Sequence, residues 1–260
     1  MKIVSKTLAV LAAGMMFAGA ARATDPGIDW CRVPDALVRA DSSLPRVTEA
    51  IAKGEPIRIV ILGTASSAGA GVSAPYQAYP ERLREELGRR FQPAPVSLVN
   101  LSQRGWTAVD MAAALDAKVI PLKPTLVIWQ TGSVEAVRGL DVNQMGDALG
   151  AGIEKLREGR IDVILLEPQY NPHAVSMVNF APYAEYMQWI ASSHDVNLFN
   201  RHDIMKHWVE EGFVNFDESG RVLQRFVADQ VHGCLAVLLA DIIERAVRSG
   251  TDARGTPSPR

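Results

Sequence analysis

The sequence has little cysteine and no excess of charge of either sign, and each absence excludes a class of function. Cys31 and Cys234 are the only cysteines among 260 residues, too few for a zinc finger, a zinc ribbon or a zinc deaminase site. The 27 Lys and Arg are balanced by 29 Asp and Glu and form no basic block. Because phosphate binding needs clustered cations, nucleic acid is not an expected partner. The sequence predicts neither a metal site nor a cofactor.

The first 23 residues have the pattern of a secretory signal peptide. Lys2 and Lys6 supply a positive start, residues 7–20 form an apolar run, and residues 21–23 fit the small-x-small cleavage pattern. The run is shorter than the ~20 residues that a membrane span needs, and no other stretch is expected to span. We therefore expect a periplasmic or secreted protein with no stable membrane span after cleavage.

Export affects the interpretation of the two cysteines. Cys31 lies near the start of the mature chain and Cys234 lies near the C-terminal helix. In an oxidising compartment a disulfide between them is favoured. The alternative is that one thiol is buried as a small hydrophobic group while the other is free.

Apolar runs of strand length alternate with segments of helical periodicity. The five runs lie at residues 57–62, 96–100, 125–130, 162–167 and 196–199. Nearly continuous apolar strands are typical of a parallel sheet that is covered on both faces. Helices are predicted at residues 79–90, 107–117, 142–158, 182–193 and 221–248, the last with an interruption at Gly233. This alternation predicts one doubly wound α/β domain at 24–249, followed by a disordered tail at 250–260.

Polar and glycine-rich segments follow the first three predicted strands. They lie at residues 63–71, 100–107 and 130–135. In a doubly wound sheet the ligand binds beyond the carboxyl ends of the strands, and the backbone N–H groups of the turn at 63–71 are suited to face an anion or an oxyanion. Each segment, taken alone, is also consistent with an ordinary turn.

Two further features supply candidate functional side chains. Asp229 and His232 lie three residues apart near the end of the chain, and a carboxylate that holds an imidazole makes it a general base. The alternative is a pair of surface residues without a partner. Gln169 opens a polar loop after the fourth strand, which is predicted either to bind substrate hydroxyl groups or to be a loop held by Pro168 and Pro172.

At these positions the chain resembles the SGNH/GDSL hydrolase family, over nearly all of the mature sequence. Residues 63–71 align without gaps with the family's first block, G-D-S-L-T-x-G-x-G, and residues 132–135 align with its third block, G-x-N-D. Gly105 matches the oxyanion-hole glycine of the second block, and Asp229 with His232 matches the last, D-x-x-H. The resemblance implies a three-layer α/β/α sandwich with a five-stranded parallel sheet of the flavodoxin type. It also implies an esterase, an acyl hydrolase or a carbohydrate deacetylase.

The chain departs from the family at two catalytic positions. The nucleophilic serine falls on Ala65 and the oxyanion-hole asparagine falls on Val134. A methyl group cannot attack a carbonyl and an isopropyl group cannot donate a hydrogen bond. Losing a single oxyanion donor typically lowers the rate by about 10²–10³.

Three explanations stay open for these departures. Ser66 or Ser67 replaces the nucleophile, or His232 activates water directly with Asp229 orienting it, or the chain is a pseudo-hydrolase that keeps the pocket to bind a sugar or an acyl group. The first two predict weak or altered catalysis, and the third predicts none.

We therefore expect an exported hydrolase that acts on ester bonds of a small molecule or a glycan, such as O-acyl or O-acetyl groups. His232 would be the base, Asp229 its orienting carboxylate, and Ser66 or Ser67 the replacement nucleophile. The residues expected to contact the oxyanion or the substrate are Ala65, Gly105, Gly132 and Gln169. The alternative is a catalytically inactive periplasmic protein that binds a sugar or an acyl group. The sequence does not predict the oligomeric state.

Overall fold

A five-stranded parallel sheet forms the centre of the molecule. The computed structural model describes residues 31–217 and 219–255, so the predicted signal peptide at 1–23 and residues 256–260 lie outside the described residues. The strands are β1 (Ile57–Leu62), β2 (Val96–Asn100), β3 (Leu126–Gln130), β4 (Asp162–Leu166) and β5 (Asn197–Phe199). They pair in parallel in the order β2-β1-β3-β4-β5. The predicted α/β class and flavodoxin-type sheet are confirmed.

The described α-helices include several that the sequence does not predict. They are α1 (Pro45–Lys53), α2 (Tyr79–Arg90), α3 (Ala108–Ala113), α4 (Ser133–Arg138), α5 (Val142–Glu158), α6 (Pro172–Met177), α7 (Ala181–Ser193), α8 (Arg201–Glu210) and α9 (Arg221–Gly255). Helices α2 and α5 begin and end where predicted, whereas α1, α4, α6 and α8 are not predicted. Helix α3 is shorter than the predicted helix at 107–117. The chain there passes into a π-helical turn, Leu115–Val119, and a 3-10 helix, Ile120–Leu122, where Pro121 cannot continue an α-helix.

The helices form two layers, one on each face of the sheet. Successive residues of a strand point to opposite faces. In β3, accordingly, Leu126 and Ile128 join one apolar core while Val127 and Trp129 join the other. Residues of α1, α2, α8 and α9 complete the first core, and residues of α3, α5 and α7 complete the second. This arrangement is the expected three-layer α/β/α sandwich, and it leaves the carboxyl ends of the strands at one edge of the layers.

Helix α9 differs from the prediction in two ways. It is continuous through Gly233, where an interruption is predicted. A Cβ atom on Gly233 would lie 2.3 Å from Nη1 of Arg82, so the glycine permits close packing and does not break the helix. The helix also extends through residues 250–255, the first part of the predicted disordered tail. There Gly250 packs against Thr48, to which an added Cβ would come within 3.2 Å.

Within the described residues, one helical segment is apolar and long enough to cross a membrane, namely Arg221–Thr251 of α9. No such segment is predicted from the sequence. In its most apolar window 56% of the segment is buried inside the fold, and residues such as Leu239 and Ile243 are fully buried in the first core. Burial against the sheet therefore accounts for the apolar composition of this helix.

A disulfide joins Cys31 to Cys234, with 5.1 Å between the two Cα atoms. The bond ties the beginning of the described chain to α9, two residues beyond His232. The predicted pairing is therefore present, and the alternative of a free thiol does not hold.

Candidate functional site

Gln130, the last residue of β3, attaches the turn after β1 to the end of the sheet. Its side chain is fully buried. Its Oε1 accepts hydrogen bonds from the N–H of Thr64 at 2.8 Å, from Oγ1 of Thr64 at 3.0 Å and from Oγ of Ser67 at 3.0 Å. These bonds fix the turn at the carboxyl end of β1, where the sequence places the candidate site.

Ser67 has a structural role in this turn. Its side chain is fully buried, and its Oγ lies 2.8 Å from the hydroxyl of Tyr79 as well as bonding to Gln130. Its backbone carbonyl accepts a hydrogen bond of 2.7 Å from Nδ2 of Asn100. A substrate cannot reach a hydroxyl enclosed in this way, so the structure does not support the prediction of Ser67 as a nucleophile.

Ser66 is different, because it is half-buried at the mouth of the site. Its Oγ accepts a hydrogen bond of 3.0 Å from Nη1 of Arg201. The other terminal nitrogen of Arg201 donates to Oε1 of Gln169, also at 3.0 Å. Gln169 is exposed on the loop after β4. The guanidinium thus joins two residues predicted to belong to one site, Ser66 and Gln169.

Arg201 is a candidate functional residue that is not predicted from the sequence. It is the first residue of α8 and follows β5 almost directly, and its side chain is only 1% exposed. Burial lowers the pKa of the guanidinium to about 10, which still leaves it charged at neutral pH. The rule that ligand-binding residues follow the strand ends would have found it. The fifth strand is predicted at residues 196–199, but the helix that begins at Arg201 is not, so no candidate residue is assigned to that strand end.

His232 is buried beside Tyr79 and is not arranged as a general base. The backbone N–H of Tyr79 donates to Nδ1 of His232 at 3.0 Å, and the two rings stack with centroids 5.8 Å apart. Burial, followed by the positive charges of Arg201 and Arg82, lowers the pKa of His232 to about 3. The imidazole is therefore neutral at physiological pH. Since its Nδ1 lone pair accepts a hydrogen bond, its proton lies on Nε2.

Asp229 does not orient His232, contrary to the prediction. Its carboxylate accepts hydrogen bonds from the backbone N–H of Ser73, at 2.8 Å, and from the Ser73 hydroxyl. The two side chains are three residues apart on α9, but the loop after β1 engages the carboxylate and the backbone of Tyr79 engages the imidazole nitrogen. The catalytic triad of the resemblance is consequently absent at both its serine and its carboxylate–imidazole contact.

The predicted oxyanion donors divide into two groups. The backbone N–H groups of Ala65, Ser66 and Gly105 donate to no group among the described residues, as is required of donors that wait for a substrate oxygen. Gly132 is not available, because its N–H donates to Oε2 of Glu135 at 3.0 Å. Gly132 instead has a positive φ of 87° and approaches Pro168 closely. It has a structural role in this turn, and its engaged N–H does not support the prediction of Gly132 as an oxyanion donor.

Glu135, in the third block, is also structural. It is buried, and its Oε1 accepts hydrogen bonds from Oγ1 of Thr131 at 2.8 Å and from the N–H of Ala108 at 2.6 Å. The carboxylate thereby joins the turn after β3 to the beginning of α3. Val134 precedes it in α4 and is half-buried, and its side chain has no polar group to offer an oxyanion.

Comparison with known proteins identifies related sequences and folds. The sequence profile of the non-GDSL lipase-like family matches residues 30–249. Among curated proteins, none matches this chain significantly. Solved structures of similar fold include TesA, which is 21% identical in sequence. The alignment covers 70% of this chain and 99% of TesA, with a TM-score of 0.54.

Two other solved structures share this fold. The esterase EstA from Pseudoalteromonas sp. is 20% identical and covers 70% of this chain and 98% of its own, with a TM-score of 0.51. A catalytic mutant of Axe2, an acetylxylan esterase from Geobacillus stearothermophilus, is 15% identical. It covers 75% of this chain and 95% of its own, with a TM-score of 0.56. At these identities the likeness establishes a shared fold.

Proposed function

This chain belongs to the non-GDSL lipase-like family, and on that basis we propose that it is an exported hydrolase of ester bonds that works without the usual serine. The family match and the shared fold confirm the resemblance to SGNH/GDSL hydrolases. The proposed substrates are O-acyl or O-acetyl esters of a small molecule or a glycan. The acetylxylan esterases that share the fold are a precedent for the glycan.

The contact between Arg201 and Ser66 is the observation that carries the proposal. Ser66 follows the position of the missing nucleophile, Ala65, by one residue, and its hydroxyl is half-buried where that of Ser67 is enclosed. The guanidinium at 3.0 Å stabilises negative charge on Oγ. Among the hydroxyls of residues 64–67, that of Ser66 therefore combines access with a stabilising cation.

In the proposed reaction, hydroxide removes the proton of Ser66 Oγ while Arg201 stabilises the alkoxide. The oxygen attacks the ester carbonyl, and the N–H groups of Ala65 and Gly105 stabilise the tetrahedral oxyanion. The alcohol leaves with a proton taken from water. A second hydroxide then attacks the acyl-serine ester, its carbonyl–Oγ bond breaks, and the proton of the attacking hydroxide passes to Oγ, which releases the carboxylate and restores the Ser66 hydroxyl.

His232 supplies no base in this scheme, because its proton lies on Nε2. It is neutral and is held by Tyr79, so the reaction depends on hydroxide and is slow by comparison with a complete triad. The rate is expected to rise with pH through and beyond pH 6.5, where the rate of an imidazole-dependent enzyme would level off.

Export is supported by two observations. Residues 1–23 have the composition of a signal peptide, and the disulfide between Cys31 and Cys234 is of a kind that persists in oxidising compartments. The proposed location is therefore the periplasm or the exterior of the cell.

Hydrolysis of p-nitrophenyl acetate by the mature protein tests the proposal. We expect measurable turnover that increases with pH and falls at least tenfold in Ser66→Ala. Ser176→Ala is the matched control, because Ser176 is an exposed serine of α6 that lies outside the proposed site. Equal rates in the wild type and in Ser66→Ala would contradict the assignment of Ser66.

A second candidate function is a binding protein without catalysis. It is favoured by the arrangement of His232, whose Nδ1 accepts from Tyr79 while Asp229 is held by Ser73. A site that offers hydrogen-bond donors and no base is suited to hold an acyl or sugar ligand. This candidate predicts no turnover above the background rate at any pH, together with saturable binding of acetylated sugars.

A further inference from the structure

Arg201 is a buried cation whose hydrogen-bond partners are both neutral. Its Nη1 and Nη2 donate to Ser66 and Gln169, and its Nε is buried without a hydrogen-bond partner in the described part of the chain. Burying a charged group is costly unless it is paired. A native fold that keeps an unpaired guanidinium buried behind the exposed Gln169 therefore points to an anion that arrives from outside.

Three carboxylates on the elements around the site have other partners. Asp229 accepts hydrogen bonds from Ser73. Oδ1 of Asp203 lies 3.1 Å from Nδ1 of His202. Glu167 is buried with its Oε2 3.3 Å from the N–H of His202, and burial together with the nearby Asp203 raises the pKa of Glu167 to about 7. In residues 31–217 and 219–255 no carboxylate oxygen forms an ion pair with Arg201.

The partners of Arg201 also define a path for a ligand. Gln169 is exposed and contacts the guanidinium through a single bond from Nη2, so a ligand that approaches from solvent can replace it. Ser66 remains on Nη1. The planar fork of a guanidinium pairs with a carboxylate through two parallel hydrogen bonds, whereas an amide oxygen such as that of Gln169 accepts without neutralising the charge.

We propose that Arg201 recognises a free carboxylate on the substrate, so that this hydrolase acts on esters of acidic molecules and Gln169 occupies the carboxylate site when no substrate is bound. The inference rests on the proposed function for its statement about esters. The anion site itself is independent of catalysis. It makes Arg201 a specificity-determining residue in addition to its contact with Ser66.

Binding of two small amides to the mature protein, measured by calorimetry, tests this site without turnover. Succinamate has a carboxylate and an amide in place of the ester, and succinamide is its neutral counterpart. We expect the wild type to bind succinamate at least tenfold more tightly than succinamide. Equal affinities would overturn the proposal.

Variants of Gln169 supply the matched comparison, since this exposed residue can change without disturbing the core. Gln169→Glu places a carboxylate at the position 3.0 Å from Nη2, so the preference for succinamate should disappear. Gln169→Leu removes the amide without adding charge and should keep the preference. Retention of the preference in Gln169→Glu would overturn the proposal.

Butyrate distinguishes a substrate carboxylate from the acid that hydrolysis releases. If butyrate binds as tightly as succinamate, the site captures the product carboxylate, and the proposal about acidic substrates is overturned. Weaker binding of butyrate supports it. Because these measurements need no reaction, loss of the esterase proposal and loss of the anion site would be separate results.

Discussion

The backbone N–H of Tyr79 donates to Nδ1 of His232 at 3.0 Å, and this bond determines what the imidazole can do. In the serine hydrolase arrangement Nδ1 carries a proton toward a carboxylate and Nε2 has the free lone pair. Here the roles of the two nitrogens are exchanged. The sequence contains Asp229 and His232 of the family's last block, but the structure does not give them the hydrogen bond through which a carboxylate orients a basic imidazole.

The tautomer of His232 can be measured directly. We predict that the neutral form has its proton on Nε2 and persists from pH 8 down to pH 4, because burial and the charges of Arg201 and Arg82 lower its pKa to about 3. Long-range ¹H–¹⁵N spectra of the imidazole nitrogens give both the position of the proton and the pKa of the ring. A proton on Nδ1, or a midpoint near 6.5, would contradict the assignment.

The same pKa shift predicts how stability depends on pH. The unfolded chain protonates His232 near pH 6.5, whereas the native state does so near 3. The contribution of His232 is thus fully present above pH 6.5 and is lost as the pH falls toward 3, with a slope of at most about 1.4 kcal/mol per pH unit. His232→Gln keeps an acceptor for Tyr79 and removes the titration.

Urea unfolding at pH 7, 5.5 and 4.5 checks this expectation. The free energy of unfolding of the wild type should fall more steeply with acid than that of His232→Gln. Parallel curves for the two proteins would show that His232 titrates alike in the folded and unfolded chains.

Ser67→Ala is predicted to lower stability. It removes the hydroxyl that bonds to Gln130 and leaves the buried Tyr79 hydroxyl without that partner. The free energy of unfolding should fall by about 1–3 kcal/mol. Ser102→Ala is the matched control at the same end of the sheet, because the Ser102 hydroxyl is buried without a partner in the described residues. Thermal and urea unfolding should separate the two variants, and equal losses would contradict the role given to Ser67.

Removing the disulfide is predicted to destabilise the fold. Cys31 and Cys234 are 203 residues apart in sequence, and a bond that closes so long a loop restricts the unfolded chain strongly. The double variant Cys31→Ala with Cys234→Ala should lose about 2–5 kcal/mol of unfolding free energy. An unchanged denaturation midpoint in the double variant, compared with the oxidised wild type, would show that the bond contributes little.

The sequence predicted the sheet well, for a physical reason. Strands buried on both faces must be apolar nearly throughout, so the runs at 125–130 and 162–167 match the buried strands β3 and β4 to within one residue. Short helices lack this advantage, because six to ten residues give too little periodicity to recognise. Helix α8 was missed in this way, and Arg201 with it.

The candidate site was predicted only in outline. The rule that ligands bind beyond the carboxyl ends of the strands placed Ser66 and Gln169 at the same end of the sheet. There the Arg201 side chain donates a hydrogen bond to each of them. The pairing of Asp229 with His232 failed because spacing along a helix does not reveal competing partners. Ser73 and the backbone of Tyr79 come from another part of the chain, and only the fold brings them there.

Labelling with a fluorophosphonate, followed by peptide mapping, tests the central claim most directly. Such a probe reacts covalently with an activated serine. The account predicts one adduct on Ser66, formed faster at higher pH and absent in Ser66→Ala. No adduct in the wild type, or an adduct on any other serine, would contradict it.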